Sequence, residues 1–335
     1  MTTHPTLPDT NTAPTPTMPA EWQPALAHSF FLRQLLDTRP DVAAWLAEHW
    51  RQPVDMQTMR AYLDAHFTPA EQGEEALRAA LRGLRQRVMA ALIVRDLGGL
   101  APLAEVMESM TQLAELTTNT ALAFLHRQLA GQYGEPLDRQ GQPQRLIVVG
   151  MGKLGGRELN VSSDVDFIFI YPEDGETAGA PAASGQRKGR SIEAYEFFVR
   201  LGKRLIAMLD EITGDGRVFR VDMRLRPNGD AGPLVCSFVS LENYLITQGR
   251  EWERYAWIRA RILNTGENHQ PHWTEMLEKI VRPFIYRKYL DFGAINAMRD
   301  LHAQIRREVV RKDRADHIKL GPGGLRDVEF TVQLL

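Results

Sequence analysis

The sequence of 335 residues contains one cysteine, almost no net charge and no long apolar run. The lone Cys236 excludes an internal disulfide framework and a cysteine zinc site, and it favours a reducing cytoplasm. The formal net charge of -2 provides no basic field for bulk nucleic-acid binding. No apolar segment reaches the roughly 18 residues of a membrane span. These absences predict a soluble cytoplasmic protein that binds neither membranes nor nucleic acid.

Composition divides the chain into four parts. Residues 1–20 are rich in threonine and proline and predict a disordered leader. Apolar residues at helical spacing predict a helical domain over 21–130, for which a plain helical bundle is favoured over a partner-docking layer. We expect a catalytic core over 131–235 and a helical segment over 236–335. That last segment stops in mid-pattern, which predicts that the chain is part of a longer protein.

The most informative stretch is RLIVVGMGKLGGRELNVSSDVDFIFIYP, over 145–172. Its apolar start predicts a buried strand, a glycine-rich turn follows, and a second strand is expected to open with Asp164-Val165-Asp166. Alternate residues of a strand share a face, so Asp164 and Asp166 should project together. Two adjacent carboxylates repel each other unless a cation lies between them. Hard oxygen ligands favour magnesium as that cation.

A third strand is predicted over Arg217–Pro227. Strand periodicity places one acid and three arginines on a single face, namely Arg220, Asp222, Arg224 and Arg226. An aspartate among arginines is typical of a metal ligand flanked by phosphate-binding guanidinium groups. An ordinary edge strand with a solvated charged face is the alternative.

The glycine-rich turn matches two known phosphate-binding patterns poorly. Gly150, Gly152 and Gly155 have the spacing of the dinucleotide fingerprint, but the acidic residues follow too soon for a parallel crossover and its helix. No Gly-Lys-Ser/Thr closes the turn, so it is not a Walker loop. A glycine turn, Asp-x-Asp on one strand and a third aspartate on a later strand match the nucleotidyltransferase layout better.

In that layout each group of residues has a role. The carboxylates expected to hold two magnesium ions are Asp164, Asp166 and Asp222. The groups expected to bind phosphate or nucleotide are the glycine turn, a hydroxyl and three cationic side chains: Gly152, Lys153, Gly155, Gly156, Ser163, Arg224 and Arg226.

Helices are predicted again towards the C-terminus, over 238–246, 252–263, 273–280 and 292–310. Within them, Trp252, Tyr255 and Trp257 are either adenine-stacking residues or, as we prefer, part of a helix core. A polar loop over 173–189 is expected to be either a mobile flap beside the site or a surface insertion without a role.

Three motifs, GMGKLGGRELNVSSDVDFIF, RVDMRLRPNGDAG and KLGPGGLRDVEF, together resemble the glutamine synthetase adenylyltransferase family, whose catalytic domains are of the polymerase-beta type. The resemblance implies an α+β fold with a helical N-terminal layer, a nucleotidyltransferase domain with a small mixed sheet, and C-terminal helices. Family proteins carry two catalytic halves. The C-terminal half transfers AMP from ATP to a tyrosine of glutamine synthetase, and the N-terminal half removes it by phosphorolysis, giving ADP.

The leader behind Met1, the Asn160-x-Ser162 pair and Arg326 are similar to the N-terminal, adenylyl-removing half, whereas Phe167 and Asp327 depart mildly from the pattern. The resemblance implies magnesium as cofactor, ATP, ADP, AMP and inorganic phosphate as substrates or products, and glutamine synthetase as protein substrate. It also implies regulation by a PII-type signalling protein and by glutamine, with no residue assigned. Two alternatives stay open: AMP transfer from ATP to a protein or small molecule, and a non-catalytic nucleotide-binding regulatory module.

Overall fold

The computed structural model describes residues 18–180, 190–265 and 271–286, together with separate residues between 299 and 328. The predicted leader therefore lies almost wholly outside the described residues, as does Arg326. A short 3-10 helix, Ala20–Trp22, precedes the N-terminal helices. These helices are α1 (Gln23–His28), α2 (Phe30–Thr38), α3 (Pro40–His49), α4 (Met56–His66), α5 (Glu74–Leu97) and α6 (Leu103–Tyr133).

Local sequence signals account for several of the helix starts. The Ser29 hydroxyl caps α2 by accepting from the Leu32 amide at 3.1 Å, and Asp55 caps α4 by accepting from the Thr58 amide at 2.9 Å. Pro40 is the first residue of α3, where its missing N–H costs nothing. The helical prediction for this part of the chain is confirmed.

The remaining elements form a small mixed sheet with helices on both faces. The strands are β1 (Ile147–Met151), β2 (Val165–Tyr171), β3 (Val221–Asp222), β4 (Val235–Ser237) and β5 (Arg261–Ile262). The helices are α7 (Gly152–Gly155), α8 (Ala194–Asp210), α9 (Phe238–Thr247), α10 (Glu251–Trp257) and α11 (Pro271–Ile285). β1 pairs antiparallel with β2 and β5, whereas β3 and β4 both pair parallel with β2. The predicted α+β class with a mixed sheet is confirmed.

The two faces of β2 belong to two apolar clusters. Val165, Phe167 and Phe169 pack with the N-terminal helices and α8, whereas Ile168 and Ile170 pack with α9 and α11. Burial on both faces explains why this strand reads as a continuous apolar run after its first acids. Asp166, one pleat repeat before Ile168, therefore faces the α9 side of the sheet. The first cluster is a single connected set of buried side chains that includes residues from Trp22 in the N-terminal helices to Leu263 after β5. The helical layer and one face of the sheet therefore share a core.

Among the described residues no helix is both long and apolar enough to cross a membrane.

The prediction of a single helix over 252–263 is wrong. α10 ends at Trp257, and the chain then extends as β5 along the free edge of β1. Asn264 completes this pairing, because its side chain accepts from the Val148 amide at 2.9 Å and donates to the Leu146 carbonyl at 2.7 Å. The backbone groups at the edge of β1 thereby gain hydrogen-bond partners. This gain favours a strand over the helix that the apolar periodicity predicts. Trp257 is only 3% exposed and belongs to the core, which agrees with the preferred prediction of a helix-core residue.

The described part of the predicted flap, residues 173–180, does not lie beside the acidic residues. It follows Tyr171, five residues along β2 from Asp166 and therefore roughly 17 Å away. Backbone hydrogen bonds attach it to the segment before β1, from Leu137 to the Glu176 carbonyl at 3.0 Å and from Ala178 to the Glu135 carbonyl at 2.8 Å. The predicted helix over 292–310 begins outside the described residues, and the described positions between 299 and 311 are helical.

Candidate active site

Three aspartates meet at one end of the sheet. In the parallel pairing of β2 and β3, Asp166 lies directly opposite Asp222, so both side chains project from the same face. Asp164 lies directly before β2, and it is close enough to Asp166 for its charge to raise the pKa of that acid. The antiparallel register of β1 places Met151 opposite Asp166, so the glycine turn begins beside this acid. The same antiparallel pairing excludes the parallel crossover that a dinucleotide fingerprint requires.

The charges of the three acids affect one another. Burial and the neighbouring carboxylates of Asp164 and Asp222 raise the pKa of Asp166 to about 7. In contrast, hydrogen bonds from the side chain and backbone of Arg224 lower the pKa of Asp222. One acid of the cluster therefore resists ionisation while a neighbour stays ionised. Such opposed shifts within one cleft are typical of functional sites.

Two arginines neutralise part of this acidic cluster. Arg220 Nη2 lies 3.0 Å from Asp164 Oδ2, and Arg224 Nε lies 2.8 Å from Asp222 Oδ2. The arginine side chains are 63% and 72% exposed, whereas Asp222 is 12% exposed. The acids are therefore held in place by the sheet, and the guanidinium groups are free to reorient at low cost.

The predicted third strand is much shorter than expected, because it ends at Asp222 instead of Pro227. The Asp222 carboxylate accepts from the Arg224 amide at 2.9 Å, which turns the chain out of the sheet. Arg226 Nη1 then donates to the Met223 carbonyl at 2.8 Å and holds that turn. The prediction that a strand continues past Asp222 and aligns Arg224 and Arg226 by alternation is wrong. Arg224 nevertheless lies beside Asp222, because its guanidinium group pairs with that carboxylate. In this conformation Arg226 stabilises the turn instead of facing the acids.

The glycine turn is shaped more by packing than by exposed amides. α7 is a single turn directly after β1, and Gly152 adopts φ +56°, which favours glycine. A Cβ on Gly155 would lie 2.0 Å from the Arg259 carbonyl oxygen, so only glycine fits there. The Gly156 amide, predicted to bind phosphate, donates to the Gly152 carbonyl at 3.0 Å and is thus already engaged.

The remaining predicted phosphate-binding residues lie in the same turn and the linker after it. Lys153 is half-buried in α7, and its ammonium group has no hydrogen-bond or ion-pair partner among the described residues. The Ser163 hydroxyl hydrogen-bonds to Asn160, directly before the first acid. A Cβ on Gly152 would lie 3.6 Å from Asp166 Oδ2, so the turn approaches the acids closely at this point.

Sequence reasoning missed three residues around the site. Lys319 lies close enough for its positive charge to counteract the raised pKa of Asp166. It belongs to the KLGPGGLRDVEF motif, but no spacing rule connects that motif to the acids. Arg220 was placed on the face of Asp222 but not among the site residues, although it contacts Asp164. Arg261 Nε and Nη2 each lie 3.1 Å from a glycine-turn carbonyl oxygen, those of Gly155 and Leu154.

The chemistry of the acids fits magnesium, whereas their present orientation is not that of a ligand cage. Within the described part of the chain, no group of three His, Cys, Asp or Glu side chains is arranged to hold a metal ion. Asp164 and Asp222 instead pair with arginines. Three neighbouring carboxylates, one of them with its pKa raised by burial and by the other two, nevertheless form the hard-oxygen donor set that magnesium prefers.

Comparison with known proteins agrees with this arrangement. The family model described as glutamate-ammonia ligase adenylyltransferase matches residues 20–276, and a model described as GlnD PII-uridylyltransferase matches residues 299–335. A protein of Aromatoleum aromaticum is 55% identical over 95% of this chain and 32% of its own length. A protein of Chromobacterium violaceum is 54% identical over 95% of this chain and 34% of its own length. Both are named bifunctional glutamine synthetase adenylyltransferase/adenylyl-removing enzyme.

A glycine turn between antiparallel strands, an Asp-x-Asp at the start of the second strand and a third aspartate on a parallel neighbour form a nucleotidyltransferase-type fold. With a family model covering residues 20–276, the chain belongs to the glutamate-ammonia ligase adenylyltransferase family. The resemblance seen in the three sequence motifs is thereby confirmed. The chain spans about a third of the length of the curated relatives it matches.

Proposed function

We propose that this chain removes AMP from a tyrosine of glutamine synthetase by phosphorolysis, giving ADP and the unmodified enzyme. It does so as the adenylyl-removing part of a bifunctional regulator of nitrogen assimilation. The relatives are named for both directions of the reaction. The Asn160-x-Ser162 pair beside the acids supports the removing direction, because it resembles the N-terminal half of the family.

One observation carries the proposal: the register that places Asp222 opposite Asp166. It brings together acids that are 56 residues apart in the chain, at the end of the sheet where the glycine turn begins. Acids converging beside a close-approach turn form the kind of site that chemistry at a phosphate group needs. The raised pKa of Asp166 supports this, because the fold maintains an electrostatically unfavourable cluster that packing alone does not require.

The reaction is a direct displacement at phosphorus. An oxygen of inorganic phosphate attacks the phosphorus of the AMP group, the bond from phosphorus to the tyrosine oxygen breaks, and the phenolate takes up a proton from solvent. The products are ADP and free tyrosine. A phenol has a pKa of about 10, so the phenolate is a tolerable leaving group and no protein nucleophile is needed.

The residues of the site have separate roles in binding the metal and the phosphate groups. Asp164, Asp166 and Asp222 would hold magnesium, which when bound supplies charge neutralisation at the phosphate groups and the leaving oxygen. The exposed guanidinium groups of Arg220 and Arg224 can turn from the acids to the oxygens of the incoming phosphate. Lys153 offers a further positive charge from the glycine turn.

The proposal is tested by release of ADP from adenylylated glutamine synthetase in the presence of phosphate and magnesium. Asp222→Asn should abolish release while leaving the far-ultraviolet circular dichroism spectrum unchanged. The matched control is Asp230→Asn, because that side chain is 79% exposed in the following turn and should retain activity. Full activity of Asp222→Asn contradicts the proposal.

The same site could run the reaction towards AMP transfer, and a second measurement separates the directions. Incubation of the chain with labelled ATP and unmodified glutamine synthetase should leave the protein unlabelled if removal is its function. Label on a tyrosine supports transfer instead. Absence of both reactions together with absence of magnesium binding supports a non-catalytic regulatory module.

The wider setting is part of the proposal. Cys236 is buried and its pKa is raised to about 12 by burial, so it is an unreactive thiol suited to a reducing cytoplasm.

A PII-type signalling protein and glutamine are proposed as regulators, since the match to a PII-uridylyltransferase model at residues 299–335 lies beside the catalytic part.

A further inference from the structure

An acidic face of α6 contacts the residues around the glycine turn. Glu108, Gln112 and Glu115 follow one another at spacings of four and three residues, so they lie on one side of the helix. Gln112 Nε2 donates to Glu108 Oε1 at 2.8 Å. Both glutamates form ion pairs with arginines outside the helical layer, namely Arg157 and Arg261. The helical layer is therefore connected to the turn through charged groups.

Arg157 directly follows the glycine turn and adopts a conformation that is rare for its residue type. Its φ is +57°, in the left-handed region that favours glycine. Its guanidinium group contacts both glutamates, because Nε lies 3.2 Å from Glu108 Oε2 and Nη1 lies 3.1 Å from Glu115 Oε1. A residue in such a conformation requires support from its surroundings. These ion pairs provide support at the point where the turn ends.

Arg261 lies on the other side of the turn, in β5. Its Nη2 is 2.6 Å from Glu115 Oε1, the same oxygen that contacts Arg157. Its Nε and Nη2 donate to the carbonyl oxygens of Gly155 and Leu154, at 3.1 Å each. These carbonyl groups belong to the end of α7, where a helix lacks partners from a following turn. One oxygen of Glu115 thus connects the two guanidinium groups that flank the turn.

Burial and charge make Glu115 the central member of this network. Its side chain is 14% exposed, whereas that of Glu108 is 43% exposed. Partly buried ion pairs are screened by salt much less than exposed pairs are. Two guanidinium groups that contact one oxygen are close enough to repel each other, and the negative charge between them offsets this repulsion. Glu115→Gln would keep the shape of the side chain but remove that charge.

The beginning of the turn lies beside the acids. Met151 pairs with Asp166 across β1 and β2, and a Cβ on Gly152 would lie 3.6 Å from Asp166 Oδ2. Because α7 is a single turn, its two ends are only about 5 Å apart. A displacement of the end that Arg261 holds therefore moves Gly152 and Lys153 relative to Asp166.

We propose that Glu115 is a positioning residue of the active site. Its carboxylate holds Arg157 and Arg261 on the two sides of the glycine turn and thereby fixes Lys153 relative to the acids. Glu115 contacts no substrate and acts only through the turn. A misplacement of about 1 Å at a reacting centre reduces a rate about a hundredfold. The placement of the turn is independent of the proposed function, and only the effect on turnover rests on it.

Glu105 on the same helix provides a matched control. Its side chain is 12% exposed, and its Oε1 lies 2.6 Å from Arg95 Nε. It is therefore as buried as Glu115 and is also paired with an arginine, but this pair joins α5 to α6 within the helical layer. Glu105→Gln and Glu115→Gln should destabilise the fold to a similar extent, whereas only Glu115→Gln should affect the turn.

The placement of the turn is tested by hydrogen exchange, which needs no substrate. The amides of Gly156, Arg157 and Glu158 donate to carbonyl groups of the turn, and the core amides of α5 report global unfolding. Relative to α5, Glu115→Gln should speed exchange of the turn amides about tenfold or more, because a charge-assisted contact is lost. Glu105→Gln should leave this ratio unchanged, and Glu115→Asp, which keeps the charge, should give an intermediate value. A ratio that is unchanged in Glu115→Gln, or that changes equally in Glu105→Gln, overturns the proposal.

The effect on turnover is tested by ADP release from adenylylated glutamine synthetase. Glu115→Gln should lower kcat about tenfold to a hundredfold with little change in KM for the protein substrate, and Glu115→Asp should recover part of the loss. Glu105→Gln should keep the wild-type kcat. Wild-type kcat in Glu115→Gln overturns the proposal, as does an equal loss in Glu105→Gln. If the wild-type chain itself releases no ADP, the proposed function fails, and hydrogen exchange alone decides whether Glu115 positions the turn.

Discussion

Asp166→Asn should make the protein more stable at neutral pH while removing its activity. In the wild-type chain, burial and repulsion from Asp164 and Asp222 raise the pKa of Asp166 to about 7, from 3.8 in a free side chain. Asparagine keeps the shape of the side chain but carries no charge, so the repulsion disappears. The same change removes a carboxylate that we propose as a magnesium ligand.

The magnitude follows from the pKa difference. Between pH 3.8 and about 7 the folded protein holds a proton on Asp166 that the unfolded chain has lost, so the free energy of unfolding falls as pH rises through this range. The full difference is worth about 4 kcal/mol, of which about 3 kcal/mol lies between pH 5 and 8. Asp222, with its lowered pKa, changes stability only at more acidic pH. For 335 residues that unfold as one unit, 3 kcal/mol corresponds to about 4 °C in Tm.

The assay is thermal unfolding of both proteins from pH 5 to pH 8, followed by tryptophan fluorescence. The variant's advantage in Tm should grow across this range, and the comparison cancels the titration of groups outside the acidic cluster. Asp37→Asn, an exposed acid on α2, is the control and should gain nothing with pH. A constant difference between Asp166→Asn and wild type, or a variant that is less stable at pH 8, refutes the reasoning about the acidic cluster.

Three further changes test the rest of the site. Gly155→Ala should lower the free energy of unfolding in urea by about 1–3 kcal/mol and reduce ADP release, because the new Cβ would lie 2.0 Å from a carbonyl oxygen. The control is Gly131→Ala in an open stretch of α6, which should be neutral or slightly stabilising. Arg82→Met should lower the free energy of unfolding by about 3 kcal/mol, because Arg82 is 1% exposed and its guanidinium group donates to four carbonyl groups. The control is Arg139→Met on the surface, which should change the free energy of unfolding little. Arg224→Ala should lower kcat/KM for phosphate about 10-fold to 100-fold in the ADP-release assay, and an unchanged value would remove this arginine from phosphate binding.

The sequence was sufficient to predict the meeting of the acids. Asp164 and Asp166 follow strand alternation, which depends only on local backbone geometry. The placement of Asp222 needed one further assumption, that its strand lies beside β2 with the same face exposed, and the parallel register satisfies it. The roles of these residues as metal ligands remain predictions.

The environment of the acids was not predictable from local patterns. The end of β3 depends on the Asp222 carboxylate accepting from a backbone amide two residues on, which competes with the strand that the alternating charges indicate. β5 forms where helical periodicity continues, because the edge of β1 supplies hydrogen bonds that no local signal records. Lys319 reaches the cluster from nearly 100 residues away, a relation set only by tertiary structure.

The glycine turn both resembles a phosphate-binding loop and is required for close packing of the fold. Its residues resemble a phosphate cradle, yet Gly155 is required where the chain packs against the Arg259 carbonyl group, and the Gly156 amide is used within the turn itself. The glycines therefore bring α7, the loop before β5 and Asp166 into one closely packed unit. A unit fixed in this way keeps three repelling carboxylates together, because the side chains cannot relieve their repulsion by moving the backbone. The packing of the glycine turn thus helps to keep together the carboxylates that we propose as the magnesium site.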